Sequence, residues 1–317
     1  MPARKAGSGR SRGTKPAGPP PPATLGTWIA GARPLTLLLA IAPVALGTGA
    51  ASLDPSMPYW YHHWVRALLC LAVAVFLQIA VNYANDYSDG VRGTDRDRVG
   101  PQRLVGSGRA KPRQVLAAAI VFFALAAVAG GVLVWRSGQW WLLAVGAVCI
   151  LAAWFYTGGK RPYGYLPLGE LAVLLFFGVV PTAGTMFVQV GTVNWEAWVS
   201  GIAAGAFAAA VLMANNLRDR ERDAQVGKRT LAVLAGGLGS RITYVVLVLV
   251  PFAALAFWVQ FYPLAGYVFF VGLAVAPAIL ITLTARTARE LVTVLQLTLL
   301  SSVSYGLGLA AAFAYWD

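Results

Sequence analysis

Long apolar segments separated by short polar loops follow one another from residue 34 to residue 314 of this 317-residue chain. Each segment is close to the roughly 20 residues that a helix needs to cross the hydrocarbon core of a bilayer. The pattern predicts nine membrane-spanning helices, over residues 34–53, 64–85, 114–135, 139–157, 168–190, 196–216, 242–261, 264–284 and 291–314. The expected fold class is therefore all-α, a polytopic membrane helical bundle.

Composition and charge agree with a membrane protein, since 58% of the residues are hydrophobic and 12% are charged. A net charge of +13 would suit a nucleic-acid-binding protein, but the basic residues lie between the apolar segments rather than on one soluble face. If the amino terminus is cytoplasmic, 23 of the 25 Lys and Arg residues fall on the cytoplasmic side, as the positive-inside rule favours. We therefore predict a multi-pass protein of the cell membrane, facing the lipid bilayer and not nucleic acid.

The first 24 residues differ from the rest of the chain. They carry five basic residues, no acidic residue and many Gly and Pro residues, so they cannot bury enough apolar surface to fold. We predict a disordered basic cytoplasmic tail over residues 1–24 and a single transmembrane domain over residues 25–317. An organelle transit peptide would have a similar composition and is the alternative for the tail.

Seven of the twelve acidic residues gather in two short clusters, each at the end of a long apolar segment. Charged side chains at such places are costly to insert, so their position indicates a function. The first cluster contains Asp86, Asp89, Asp95 and Asp97, and the second contains Asp219, Glu221 and Asp223. With the amino terminus cytoplasmic, both clusters and the loops beside them lie at the cytoplasmic surface.

Helical spacing places most of these acids on two polar faces. The first face carries Asn82, Asp86 and Asp89, and the second carries Asn215, Asp219 and Asp223, with Asn216 beside it. Because the second and sixth segments run in the same direction, the two faces end at the same depth and can oppose each other. Carboxylate and amide oxygens without His or Cys suit Mg²⁺, with Mn²⁺ as the alternative, and Mg²⁺ is commonly completed by substrate phosphates.

Cations follow both clusters, and they allow two interpretations. Arg103, Lys228 and Arg229 are placed to bind a diphosphate, since Arg and Lys are the usual phosphate ligands. Alternatively, the acids are solvated helix ends that pair with neighbouring arginines. Two clusters at matching depth favour the metal and diphosphate interpretation.

The loop after the fourth segment places aromatic rings beside cations. We predict that Tyr156, Lys160, Arg161 and Tyr163 hold an aromatic acid by stacking and charge pairing. Anchoring of the tyrosines at the membrane interface is the alternative.

In the order and spacing of these motifs, the chain resembles the UbiA superfamily of intramembrane prenyltransferases, and most closely its naphthoate-prenylating members. The resemblance covers nearly the whole chain after the tail. Its parts are Asn82-x2-Asn85-Asp86-x2-Asp89, then Tyr156-Thr-Gly-Gly with Pro162-Tyr163-Gly-Tyr165, and finally Asn215-Asn216-Leu-Arg218-Asp219-x3-Asp223. The broader superfamily places a third Asp four residues after Asp89, where this chain has Gly93, so the roles of Asp95 and Asp97 stay open.

The resemblance implies a helical bundle around a central cavity that is open sideways to lipid. It implies two Mg²⁺ ions that bind the diphosphate of a polyprenyl donor, with Asp86, Asp89, Asp219 and Asp223 as the catalytic residues. It also implies transfer of the polyprenyl group to 1,4-dihydroxy-2-naphthoate, with loss of diphosphate and carbon dioxide, to give a demethylmenaquinone.

Three other functions compete with this interpretation. A prenyltransferase with another acceptor, such as 4-hydroxybenzoate, would use the same metal site. A CDP-alcohol phosphotransferase shares only Asp86-x2-Asp89-Gly90 before its expected motif stops matching. A secondary transporter would place its ionisable residues near the membrane midplane, whereas these acids lie at segment ends.

Overall fold

The computed structural model describes residues 21–55, 63–93 and 103–315. Within these ranges the regular structure is entirely helical. The α-helices are α1 (Leu25–Ala32), α2 (Leu38–Ala51), α3 (His63–Arg92), α4 (Pro112–Ser137), α5 (Leu142–Thr157), α6 (Gly169–Leu174), α7 (Val180–Val190), α8 (Trp195–Gln225), α9 (Leu231–Trp258), α10 (Gly272–Thr284) and α11 (Ala288–Ala314). The predicted tail, apart from its last four residues, and the acids Asp95 and Asp97 lie outside the described ranges.

The membrane-spanning character predicted from the apolar segments is confirmed. Eight helical stretches of the described chain are long and apolar enough to cross a bilayer. The remaining predicted span, over residues 139–157, corresponds to α5, whose 16 residues extend about 24 Å and fall short of a hydrocarbon core of about 30 Å. The protein is therefore a multi-pass membrane protein whose predicted segments each become a helix or a run of helices.

Three segments predicted as single helices are not α-helical throughout, and in one of them, residues 264–284, a 3₁₀ helix over Pro263–Val271 precedes α10. Before α2 the chain makes a separate helix, α1, and then turns at Arg33, whose φ of 55° is the left-handed conformation. A 3₁₀ turn over Pro34–Leu37 leads from there into α2. Between α6 and α7, residues Leu175–Val179 form a π-helical turn. Such turns are rare and often lie beside functional sites.

Close helix packing depends on small residues. At the point where the π-helical turn meets α8, a Cβ added to Gly178 would lie 2.3 Å from the Cα of Gly205 and 2.4 Å from the carbonyl oxygen of Gly201. The stretch of α8 from Ala203 to Ala210 is buried throughout and consists mainly of alanine. Small residues let helix backbones approach closely in a membrane, where packing is a main driving force for association. α8 is consequently the central helix of the bundle.

The helices α3 and α8 both continue past the predicted ends of their spans. α3 extends to Arg92 and α8 to Gln225, so each acidic cluster described here lies on a continuous helix. We call the side of the bundle where these two helices terminate the acidic end.

Replacement of Gly178 by Ala tests the packing. We expect Gly178→Ala to lower the free energy of unfolding by about 1–3 kcal/mol, because the added methyl group must displace the backbone of α8. Thermal unfolding of the purified protein in detergent measures this. Gly184→Ala in α7 is the control, since a Cβ there meets nothing within 4 Å. Equal melting temperatures for both variants would contradict the close approach.

Candidate active site

A largely apolar cavity of about 510 Å³ lies inside the bundle and ends near the acidic end. Helices α2 to α8 contribute to its lining. The polar groups at its acidic end include Asn82, Asn85 and Asn215, together with Arg33. Arg33 is the only Lys or Arg in the described chain that lines the cavity. The remaining wall is mainly Leu, Val, Ala, Gly and Phe, which suits a hydrocarbon chain.

The two acidic clusters meet around one ammonium group. The Nζ of Lys228 lies 3.9 Å from Oδ1 of Asp89 on α3 and 3.5 Å from Oδ1 of Asp223 on α8. Both carboxylates are buried, with exposed fractions of 5% and 9%. The turn after α8 positions the lysine, because Gly227 adopts a φ of 78° and the Lys228 N–H donates to the Asp223 carbonyl. Two helices that are distant in sequence therefore each present one acid to the same ammonium group.

Asp86 has a different set of contacts from Asp89. Its carboxylate is 1% exposed and accepts hydrogen bonds from the backbone N–H groups of Leu104, at 2.7 Å, and Val105, at 3.1 Å. These bonds fix the loop that carries Arg103, whose NH2 lies 3.6 Å from Oδ2 of Asp89. In this structure Asp86 thus anchors a loop that brings a buried guanidinium to the other acids.

Tyr165 completes the group around Asp89. Its hydroxyl donates to Oδ1 of Asp89 at 2.8 Å, and Lys228 lies over its ring, 4.5 Å from the centroid. Burial and the neighbouring Asp89 charge raise the pKa of Tyr165, so the phenol stays protonated and acts as a donor. The sequence analysis selected Tyr163 from this loop to hold an aromatic acid and gave Tyr165 no role. The Tyr-Gly-Tyr repeat gave no sign of which ring would face the acids.

The other predicted metal ligands either bond to neighbouring protein groups or line the cavity. Asp219 forms a bidentate pair with its neighbour Arg218, with both contacts at 2.8 Å. Asn82 uses its amide N–H₂ to donate to the Ala32 carbonyl at 2.9 Å and lines the cavity. Asn215 also lines the cavity, whereas Asn216 donates to Glu170 at 2.9 Å. Among the described residues, no three His, Cys, Asp or Glu side chains converge on one point.

The donor set around Lys228 fits a divalent cation of the hard type. Asp89 and Asp223 already direct carboxylate oxygens at a single positive charge, and amide oxygens of Asn82 and Asn215 lie at the adjoining end of the cavity. Oxygen-only ligands suit Mg²⁺ or Mn²⁺. A metal with its bound phosphate would take over the charge compensation that Lys228 and Arg103 supply here.

Some residues that were predicted to bind the aromatic acid or the diphosphate line the cavity, whereas others are exposed. Tyr156 and Tyr163 line the cavity, with ring centroids 5.4 Å apart in an edge-to-face arrangement. Lys160, Arg161 and Arg229 have exposed side chains and do not line it. The backbone N–H of Arg229 instead donates to the Tyr165 carbonyl at 2.8 Å. Arg33, which the sequence analysis did not select, is the cation that reaches the cavity.

Comparison with known protein families and curated proteins gives a consistent result. The sequence profile of the UbiA prenyltransferase family matches residues 40–293. A 1,4-dihydroxy-2-naphthoate octaprenyltransferase of Mycobacterium tuberculosis is 49% identical over 299 residues, which cover 92% of this chain and 98% of that protein. The enzyme of the same name from Escherichia coli is 36% identical over 252 residues, which cover 76% and 80%.

Solved structures share the fold at lower identity. The apo structure of a UbiA homolog from Aeropyrum pernix K1 has a TM-score of 0.67 and 17% identity, covering 87% of this chain and 97% of that one. A UbiA homolog from Archaeoglobus fulgidus, solved bound to DMAPP and Mg²⁺, has a TM-score of 0.57 and 16% identity, covering 90% and 99%.

Removal of the Lys228 charge tests the arrangement of the acids. We expect Lys228→Gln to destabilise the metal-free protein by about 1–3 kcal/mol, because Asp89 and Asp223 lose a shared counter-charge in a buried place. Addition of Mg²⁺ should raise the melting temperature of this variant more than that of the wild type.

The control for this experiment is Lys160→Gln, which removes an exposed lysine. It should leave both the melting temperature and the response to Mg²⁺ unchanged. An identical Mg²⁺ response in all three proteins would show that Lys228 does not occupy the position that a metal would use.

Proposed function

The chain belongs to the UbiA prenyltransferase family, and we propose that it transfers a polyprenyl group from polyprenyl diphosphate to 1,4-dihydroxy-2-naphthoate. The reaction releases diphosphate and carbon dioxide and gives a demethylmenaquinone in its reduced quinol form, because both ring hydroxyl groups are kept, which makes the protein a membrane enzyme of menaquinone biosynthesis. The observation that carries the proposal is the convergence of Asp89 and Asp223 on one cation position at the end of a largely apolar cavity. The names of the M. tuberculosis and E. coli relatives support the choice of acceptor.

The carboxylates have the role of holding divalent metal. Asp89 and Asp223 are the nearest ligands, Asn82 and Asn215 lie about two helical turns earlier on the same helices, and we assign two Mg²⁺ ions to this region. When bound, Mg²⁺ neutralises the charge that develops on the departing diphosphate. Asp86 and Asp219 stay predictions as ligands, because their carboxylates are engaged by backbone amides and by Arg218.

The cations beside the acids bind the diphosphate. Arg103 and Lys228 each lie within 4 Å of Asp89, so a small rotation of either side chain would reach phosphate oxygens held at the same place. Arg103 is held by a loop that Asp86 fixes, and its planar guanidinium suits bidentate contact with phosphate. Tyr165 keeps Asp89 oriented by donating a hydrogen bond from its hydroxyl group.

The cavity holds the prenyl chain and excludes water. Breaking the bond between the allylic carbon and the diphosphate oxygen leaves a carbocation that water would capture, so an apolar enclosure protects the reaction. The acceptor ring then meets this carbon at the polar end of the cavity, beside Tyr156 and Tyr163. Arg33 supplies the positive charge that an aromatic carboxylate needs there.

In orientation, we place the amino terminus and the acidic end on the cytoplasmic side of the cell membrane. The distribution of Lys and Arg in the sequence supports this, because 23 of the 25 then lie in the tail and cytoplasmic loops. Water-soluble metal and the aromatic acceptor would reach the acids from the cytoplasm, and the polyprenyl donor would enter from the bilayer.

The function is tested by direct assay of the purified full chain with a polyprenyl diphosphate, Mg²⁺ and either 1,4-dihydroxy-2-naphthoate or 4-hydroxybenzoate. We expect prenylated product and carbon dioxide from the naphthoate alone, and none after addition of EDTA. Product only from 4-hydroxybenzoate would keep the family and overturn the acceptor. No product from either would overturn both candidate acceptors.

Two acids on α8, Asp223 and Glu221, test whether a carboxylate is needed to bind metal or only to add negative charge. We expect Asp223→Asn to lower turnover by at least about 100-fold, because one of the two converging carboxylates is lost at the point where charge develops. Glu221→Gln, whose side chain in the wild type is 87% exposed, should stay within about twofold of wild type. Steady-state rates at saturating Mg²⁺ measure both, and comparable losses in the two variants would contradict the assignment.

A further inference from the structure

Gln78 is a polar residue in an otherwise apolar part of the cavity wall. It lies on α3 with an exposed fraction of 7%, and its side chain lines the cavity. Its Oε1 is enclosed by protein and accepts no hydrogen bond from any described residue. Its Nε2 also has no hydrogen-bond partner among the described residues, yet it is not one of the unpaired polar atoms that the protein encloses. The N–H₂ group is therefore the part of this amide that faces the cavity.

An amide in this position is unfavourable unless a ligand binds to it. Burial of an amide without hydrogen bonds costs free energy that burial of an apolar side chain of the same length does not. The neighbouring lining residues of α3 are Leu77 and Val81, and those deeper in the cavity include Val73 and Ala74. An unpaired amide among such apolar neighbours points to a ligand that brings a polar group to this depth.

Gln78 extends the polar face of α3 by one turn into the cavity. Asn82 follows it by four residues and Asn85 by seven, so the three amides lie on one side of the helix. The helical rise puts Gln78 about 6 Å further from the acidic end than Asn82. Asn82 donates to the carbonyl of Ala32, and the next residue is Arg33, the cation assigned to the acceptor carboxylate. Gln78 therefore lies about one helical turn deeper than the backbone that carries this cation.

The ring of Tyr163, which is proposed to lie beside the acceptor, reaches a similar depth. Thr157 at the end of α5 donates its hydroxyl to Asn85 at 2.5 Å, which sets the level of α5 against α3. The Tyr163 hydroxyl donates at 2.8 Å to the carbonyl of Ala152, five residues before Thr157. Because α3 and α5 both end on the acidic side, Ala152 is level with the part of α3 that lies about five residues before Asn85, close to Gln78.

Of the two substrates, the acceptor is the one with a polar group for this depth. The prenyl chain is a hydrocarbon, and its diphosphate is assigned to the acids around Asp89, about 16 Å from Gln78 along α3. In 1,4-dihydroxy-2-naphthoate, the 1-hydroxyl lies next to the carboxylate and can bond to it internally, whereas the 4-hydroxyl lies on the opposite side of the same ring. With the carboxylate at Arg33, the 4-hydroxyl is the group that a donor one helical turn deeper would meet.

We propose that the Nε2–H₂ group of Gln78 donates a hydrogen bond to the oxygen of the 4-hydroxyl group of the acceptor, and so selects rings that carry this group. This inference rests on the proposed function, because it assigns a residue to the acceptor of the same reaction. A side-chain amide carries two N–H donors, and a phenolic oxygen can accept a hydrogen bond from one of them. Sites that hydrogen-bond a substrate hydroxyl discriminate against analogues that lack it.

The test measures recognition of the 4-hydroxyl with 1-hydroxy-2-naphthoate, which lacks this group and keeps the rest of the acceptor. Its competitive inhibition constant divided by the dissociation constant of 1,4-dihydroxy-2-naphthoate is the hydroxyl penalty. For the wild type, we expect a penalty of about 3- to 10-fold, as the loss of one hydrogen bond between neutral groups predicts. In Gln78→Met, which keeps an unbranched side chain of similar length but removes the donor, the penalty should fall below about twofold.

Thermal unfolding of the ligand-free protein separates recognition of the acceptor from a structural role. Gln78→Met should melt at or above the temperature of the wild type, because it removes an unpaired amide from an apolar wall. A lower melting temperature together with an unchanged hydroxyl penalty would show that the amide serves the fold, and would overturn the proposal. Gln78→Leu is the second variant, with the same two expectations, if Gln78→Met does not fold.

Gln189→Met is the matched control. Gln189 is also a buried glutamine whose Oε1 has no hydrogen-bond partner among the described residues, but it does not line the cavity. Its Nε2 donates to the Thr48 hydroxyl and to the Thr185 carbonyl, both at 3.1 Å. This variant should therefore lower the melting temperature and keep the full hydroxyl penalty. Neither Gln78→Met nor Gln189→Met should alter the dissociation constant of a polyprenyl diphosphate analogue.

The outcomes distinguish this inference from the proposed function. A hydroxyl penalty that is the same in the wild type and in the Gln78 variants would overturn the role of Gln78 and leave the prenyltransferase intact. The absence of any penalty in the wild type would overturn it as well. Weaker binding of the polyprenyl diphosphate analogue by Gln78→Met would assign the amide to the donor and contradict the proposal. Failure of the wild type to bind or convert 1,4-dihydroxy-2-naphthoate would overturn the proposed acceptor and, with it, this inference.

Discussion

The contact of one lysine ammonium with two carboxylates, Asp89 on α3 and Asp223 on α8, is the interaction on which this site depends. Two buried negative charges at such a place repel each other unless a cation lies between them. Lys228 supplies that charge, Arg103 adds a second cation against Asp89, and Tyr165 adds a hydrogen bond. The same arrangement that stabilises the acids prepares them for a metal and a diphosphate.

The rest of the fold holds these side chains close together. α8 can lie at the centre of the bundle because its small residues allow close contacts, such as that of Gly205 with Gly178. α3 is held at its acidic end by the hydrogen bonds that the backbone N–H groups of Leu104 and Val105 donate to Asp86. Between these rigid helices lies the largely apolar cavity, so the polar chemistry and the space for a hydrocarbon chain meet at one end of the protein.

Much of this arrangement was predictable from the sequence, for physical reasons. Apolar length identifies membrane helices, and helical spacing places Asp89 and Asp223 on two faces that end at the same depth. The turn at Arg33 was not predictable, because a left-handed arginine has no sequence signal comparable to that of glycine. The direction in which loop side chains point could not be predicted from the sequence either. Tyr165 faces the acids, whereas Lys160 and Arg161 are exposed. The sequence drew attention to this loop, but which of its side chains face the acids is decided by the three-dimensional structure.

The central claim is that Asp89 and Asp223 act on the same bound metal–diphosphate complex, and a double-mutant cycle tests it most directly. The affinity of the protein for a polyprenyl diphosphate analogue at fixed Mg²⁺ would be measured for the wild type, Asp89→Asn, Asp223→Asn and the double variant. The account predicts a coupling of about 1 kcal/mol or more, because each carboxylate acts through the same ligand. Losses that add to within about 0.5 kcal/mol would show independent sites and contradict it.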